Sequence, residues 1–120
     1  MSTKKIAYIL QQSPYGCDFA HDAIDAVLAG GLYGQNVSVF FSDDGVFQLL
    51  KTNNTTGKEY KSLSKKLSAL SLYDIEQVYA CNDSLTLRGV SAEQLSMDVD
   101  CLDKETFENT LRTHDIILSF

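Results

Sequence analysis

Cysteine is the residue type in this chain best able to do chemistry alone, and it occurs three times, as Cys17, Cys81 and Cys101. Cys81 has the most suggestive setting. A β-prone run from Gln77 stops at the cysteine, and Asn82-Asp83 opens a helical pattern through Ser84, Leu85 and Leu87 that Gly89 closes. At a strand-to-helix junction, backbone amides stabilise a thiolate, and the thiolate is the nucleophile of sulfur chemistry. Asp83 in the first turn, with Asp74 and Glu76 just upstream, works the other way, because nearby carboxylates favour the protonated thiol. A free cysteine is more commonly a small, half-buried packing residue, so both roles stay open for Cys81. Cys17 follows a Pro-Tyr-Gly turn and Cys101 ends a weak strand pattern; each reads more readily as packing than as chemistry.

The other reactive types form no set. An odd number of cysteines without a CxxC pair argues against a disulfide framework and for a reducing cytoplasm. His21 and His114 lie far apart and cluster with no cysteine, so a zinc site, which needs about four ligands, is not expected. Asp43 and Asp44 are adjacent and point in different directions; helix capping explains them without a metal or an acid/base pair. No GxGxxG, Walker or GxSxG pattern occurs, and motif reading implies neither an enzyme nor a cofactor.

The elements that must position Cys81 follow from apolar periodicity. Ile6 to Leu10 is a continuous β-prone run, as in a buried parallel strand. Phe19, Ala20, Ala23, Ile24, Val27 and Leu28 recur at helical spacing, and Gly30-Gly31 is expected to stop that helix. Val37–Phe41 reads as a second strand, Asp43-Asp44-Gly45 as a turn whose carboxylates cap a short helix Val46–Leu50, and Tyr60, Leu63, Leu67 and Leu70 as a third helix. Gln77–Cys81 is the third strand. Ser91–Leu95 reads as a short helix, Met97–Cys101 as a weak fourth strand, Asp103 as the cap of a helix through Phe107 and Leu111, and Ile116–Phe120 as the last strand. This alternation predicts one α/β domain over residues 1–120, a three-layer α/β/α arrangement around a mostly parallel sheet. The working loops of such a sheet lie beyond its strands' carboxyl ends: here residues 12–17, 42–45 and 81–84, and the segment after residue 100.

With 120 residues, 44% of them hydrophobic, the chain can bury a core without a metal or disulfide. No apolar run reaches the roughly 18 residues of a membrane span, and the run after Lys4-Lys5 is too short for a secretory signal. The net charge of −6 disfavours direct nucleic-acid binding. Residues 51–66 stand apart, with five lysines against Glu59; they are a solvated face or a steering patch for an acidic partner. Val46–Leu50, Leu70–Tyr73 and Ile116–Phe120 add apolar surface that one domain of this size need not bury in full; a subunit interface is a natural outlet for it, and simple core packing is the equal alternative.

Several segments carry a resemblance. Lys5-Ile-Ala-Tyr-Ile with Pro14-Tyr-Gly16, the block Val39-Phe-Phe-Ser-Asp-Asp-Gly-Val-Phe-Gln-Leu-Leu50, Leu72-Tyr-Asp-Ile-Glu-Gln77, Cys81 with Leu87-Arg-Gly89, and Asp115-Ile-Ile-Leu-Ser-Phe120 run nearly from end to end. Residues 51–66 and 91–108 carry little of it. On these segments the chain resembles the TusC/DsrF-type subunits of the DsrE/DsrF/DsrH-like sulfur-relay family. The resemblance implies a compact domain with a five-stranded sheet. It also implies a heterohexamer, two copies each of this chain and of TusB-like and TusD-like subunits. That complex would pass persulfide sulfur in the cytoplasm from a TusA-like to a TusE-like protein, for 2-thiolation of tRNA wobble uridine; related Dsr complexes serve dissimilatory sulfur metabolism.

In this family the sulfur-carrying cysteine belongs to the TusD/DsrE-type subunit, eight residues before the glycine of a Leu-x-Arg-Gly-like helix end. Cys81 and Gly89 have that spacing, yet the surrounding blocks are TusC-like. The resemblance therefore implies a structural, partner-binding subunit with Cys81 as a reserve site. A stand-alone persulfide carrier using Cys81 is the alternative, and a small-ligand module has only the fold class in its favour.

Overall fold

The computed structural model describes residues 4–12, 19–32, 36–50, 66–73, 75, 77–95 and 97–120. Their elements are strand β1 (Lys5–Leu10), helix α1 (Phe19–Leu32), strand β2 (Asn36–Phe41), a 3₁₀ helix (Asp43–Leu49), a 3₁₀ turn (Ser71–Tyr73), strand β3 (Gln77–Cys81), helix α2 (Asn82–Leu87), a 3₁₀ turn (Ala92–Gln94), strand β4 (Asp100–Leu102), helix α3 (Lys104–Arg112) and strand β5 (Ile116–Ser119). The five strands form one sheet in the order β4-β3-β2-β1-β5, and every pairing is parallel. The chain steps outward from β1 to β4 and then returns across the sheet to place β5 on the free side of β1. Right-handed crossovers in opposite directions put helices on opposite faces, which yields the three layers expected from the alternating pattern.

Strand parity divides the core accordingly. Ile6, Tyr8 and Leu10 of β1, with Val37, Val39 and Phe41 of β2, pack with Ala23, Ile24 and Val27 of α1 on one face. On the other face Ala7, Phe40 and Cys81 gather against Phe107 of α3, with Ile9, Tyr79, Leu102 and Leu111 at the margin. Phe40 anchors this second face: Phe107 meets its ring edge-on at 5.2 Å and Tyr79 lies 4.9 Å from it.

Local structure departs from expectation at three places. Helix α1 does not end at Gly30-Gly31 but runs through it to Leu32. Gly31 serves close approach instead of a left-handed cap: a Cβ there would lie 2.7 Å from Ile75 Cδ1 and 3.3 Å from the Tyr73 carbonyl oxygen. Asp43 and Asp44 lie inside the 3₁₀ helix and cap nothing; Ser42 is the N-cap residue, without a side-chain capping bond. Of the two readings of Val46–Leu50, core packing holds for Val46 and Leu49, which are fully buried, while Phe47 and Leu50 are half-buried against the same core. The fourth strand is shorter and later than expected, Asp100–Leu102 in place of Met97–Cys101. Residues 66–68 are helical, in keeping with the end of the expected third helix, while Tyr60, Leu63 and most of the lysine segment lie outside the described residues. Its last lysine, Lys66, pairs with Asp25 of α1 at 3.0 Å.

Candidate functional site

A parallel sheet gathers its working groups where strands end and helices begin. Here that edge holds a cleft of about 480 Å³ beyond the carboxyl ends of β1, β2 and β3, on the α3 side of the sheet. Ile9, Leu87, Phe107 and Leu111 form its apolar walls, and Cys81 lines it with 9% of its surface exposed. Asp83, as expected, stands beside Cys81; Arg88 and Lys104 reach the same cleft and bring positive charge that local spacing does not reveal.

Cys81 is the last residue of β3 and the N-cap residue of α2, and its side chain makes no capping hydrogen bond. Helix α2 is short because Gly89 stops it: Gly89 adopts φ 67°, where glycine alone is at ease, and Val90 N–H turns back to the Leu85 carbonyl at 2.9 Å. A second segment braces this helix. Ser42 N–H donates to the Leu10 carbonyl at 3.2 Å, and Gly45 sits so close that a Cβ would lie 1.9 Å from the same carbonyl oxygen. Between them Asp43 is held at φ 50°, a left-handed conformation that non-glycine residues adopt at a cost. In that conformation Asp43 N–H donates to Ser84 Oγ at 3.0 Å, and the Asp43 carboxylate accepts from Gln11 Nε2 at 3.2 Å. Asp44 pairs with Arg88 Nε at 3.0 Å, and Arg88 Nη1 reaches the Ser84 carbonyl at 3.4 Å.

Thus the Asp43-Asp44 pair belongs to the cleft margin as a brace. It is not a helix cap. Ser84 and Gln11 carry no motif of their own, and only the topology brings them to Asp43. Arg88 lay within the Leu87-Arg-Gly89 segment, whose sequence signals only a helix end.

The other expected residues stand elsewhere. Cys101 is exposed on β4, opposite Ala80 in register, whereas Leu102 lies opposite Cys81. The two thiols therefore face opposite sides of the sheet. Burial, and then the Asp100 carboxylate, push the Cys101 thiol up from its ordinary value. Cys17 lies outside the described residues. His114 packs edge-on against Phe40 at 5.5 Å, with Nδ1 3.0 Å from the Thr110 carbonyl. Among the described residues no group of three or more His, Cys, Asp or Glu side chains could hold a metal ion.

An all-parallel five-stranded sheet with a cysteine-lined cleft beyond its strand ends defines a small three-layer α/β protein. The DsrE/DsrF-like family model matches residues 4–120, and the chain belongs to that family. It is 34% identical over 116 residues to the protein TusC homolog of Vibrio parahaemolyticus, covering 97% of this chain and 98% of that one. The TusC homolog of Aliivibrio fischeri is 28% identical with the same coverage. Among solved structures, the Escherichia coli ychN protein superposes with a TM-score of 0.77 at 18% identity, covering 98% of this chain and 100% of its own. A protein of unknown function from Methanobacterium thermoautotrophicum, MTH1491, does so at 0.66 and 15% identity, with 98% and 99% covered. The family match and the curated relatives place the chain among the TusC-like members of that family, and the two solved structures show its fold.

Proposed function

We propose that the chain is the partner-binding subunit of a cytoplasmic TusBCD-like complex, in which it joins TusB-like and TusD-like subunits, two copies of each. The complex passes persulfide sulfur from a TusA-like protein towards a TusE-like one, for 2-thiolation of tRNA wobble uridine. The chain contacts the TusA-like and TusE-like proteins only through the complex, and it binds no nucleic acid directly. One observation carries the reading. All of β5 is exposed, and Ile116, Ile117, Leu118 and Phe120 present apolar surface at an edge of the sheet. An apolar parallel-sheet edge with both faces open is the kind of surface that a permanent partner covers. No described helix is long and apolar enough to cross a membrane. The test is co-expression with TusB-like and TusD-like chains followed by sizing; the expected result is one species holding all three, and a chain that stays monomeric beside both contradicts the reading.

Cys81 supports a second reading. Its thiol lines the cleft and is not engaged in capping, so the chain itself carries a persulfide in that alternative. A Cys81→Ser variant with full relay activity rules this out; loss of relay with assembly intact favours it.

A further inference from the structure

An edge strand offers a partner its backbone as well as its side chains, and the hydrogen bonds around β1 show which backbone groups of β5 are on offer. The odd-numbered residues of β1 and its continuation turn their backbone towards β5. The Lys5 carbonyl accepts from Asp115 N–H at 2.8 Å, the Ile9 carbonyl accepts from Phe120 N–H at 2.9 Å, and Gln11 N–H donates to the Phe120 carbonyl at 2.9 Å. Leu10 turns the other way, and its carbonyl accepts from Ser42 N–H at the end of β2. Combined with the parallel register, Ile6 with Ile116 through Ile9 with Ser119, this phase points the amides and carbonyls of Ile116, Leu118 and Phe120 at β1. Those of Ile117 and Ser119 point away from the sheet. Among the described residues nothing bonds to them, and both residues are exposed.

We infer that a sister subunit of the proposed complex adds a strand to the sheet at β5, bonding through the backbone to Ile117 and Ser119. The inference rests on the proposed function and deepens it by naming the form of the contact. Two donors and two acceptors on alternate residues match an extended segment, whereas a helix has already spent its own backbone groups. Charge decides what kind of strand fits. Residues 116–120 carry no charged side chain, although the chain as a whole has a net charge of −6. A charged group laid beside Ile116, Ile117 or Leu118 would lose water and gain no counter-charge. The entering strand is therefore uncharged and apolar. Its side chains continue the surface that Ile117 begins on one face of the sheet and Leu118 on the other. On the Leu118 face Phe120 is set in place by stacking on Tyr8, with ring centroids 6.0 Å apart.

The full chain is titrated with purified TusB-like and TusD-like subunits, and assembly is read by native mass spectrometry. Ser119→Pro deletes the outward N–H at a position where β1 needs none, the place proline takes on natural edge strands; Ser119→Ala keeps that N–H. With its unfolding midpoint retained, Ser119→Pro is expected to bind the sister subunits roughly tenfold more weakly, and Ser119→Ala to bind as the parent does. Hydrogen exchange at single amides of the parent is a second measurement that needs no variant. On assembly Ile117 and Ser119 should slow at least about tenfold, while Leu118 and Phe120, already turned to β1, change little. Where Ser119→Pro does not fold, exchange decides. A folded Ser119→Pro that assembles as tightly as Ser119→Ala overturns the added strand, as do Ile117 and Ser119 amides that exchange as fast in the complex as outside it. Either result leaves the proposed function standing. A parent chain that pairs with itself, and loses that pairing in Ser119→Pro, overturns the sister subunit as occupant. A parent that assembles with neither subunit removes the proposed function, and the inference with it.

Discussion

Single residues in this chain are constrained by contacts that sequence spacing reveals unevenly. Asp103 was legible: an aspartate before a helical run is a cap signal, and its side chain accepts from Thr106 N–H at 2.7 Å. That bond to the backbone amide, and then the interaction with the Thr106 side chain, hold the Asp103 carboxyl below its ordinary value. A carboxylate depressed in the folded state contributes stability above the unfolded value of about 3.9, and that contribution is lost as pH falls through the folded value. Acid titration by circular dichroism should therefore show α3 weakening below about pH 4. Asp103→Asn, which keeps an acceptor but cannot titrate, should remove that part of the acid transition. Gly45 was less legible. Its place in a turn was evident, but the need for glycine comes from the Leu10 carbonyl, 35 positions away in the chain. Gly45→Ala should cost about 2–3 kcal/mol in urea unfolding, because backbone, and not a flexible side chain, must move.

At the scale of elements, periodicity located the strands because buried parallel strands are continuous apolar runs with turn residues at their ends. It misplaced the end of α1. Gly30-Gly31 looks like a stop signal, yet a glycine inside a helix is tolerated where another element packs onto it, as Ile75 does on Gly31. Periodicity left Val46–Leu50 open between core and interface, because exposure depends on which layer covers the segment. The pairing of α3 with the second face rests on Phe107 meeting Phe40 edge-on. Phe107→Ala should destabilise the fold by about 3–5 kcal/mol, measured by denaturant unfolding, and should open the wall of the Cys81 cleft. Cys81 itself was placed correctly at the strand-to-helix junction. Its surroundings were not, because the carboxylates near it in sequence were visible while Arg88, Lys104 and the Asp43–Ser84 contact depend on the meeting of three strand ends.

The whole molecule shows what local patterns cannot: strand order, and with it the identity of the sheet's edges. The return of the chain to the free side of β1 is written in no short segment, although the apolar composition of Ile116–Phe120 already marks that strand as a candidate for exposure. The two edges differ. Strand β4 is three residues long and is flanked by Asp98 and Asp103, with Asp100 at its start, the short charged edge by which soluble proteins avoid pairing. Strand β5 carries no charge and remains exposed along its length. Leu72, 81% exposed, and Tyr73 are further apolar surface from the segment whose composition suggested an interface. If the β5 edge is the assembly surface proposed above, charge placed there should abolish assembly while sparing the fold. Leu118→Lys puts an ammonium on a strand position already 41% exposed, so its unfolding midpoint should stay near that of the parent.

Native mass spectrometry of Leu118→Lys beside the parent chain, each co-expressed with TusB-like and TusD-like subunits, tests the central claim most directly. The account predicts that the parent enters a complex with both and that the folded variant stays alone. Entry of the variant as complete as that of the parent, or a parent chain that joins neither partner, would contradict it.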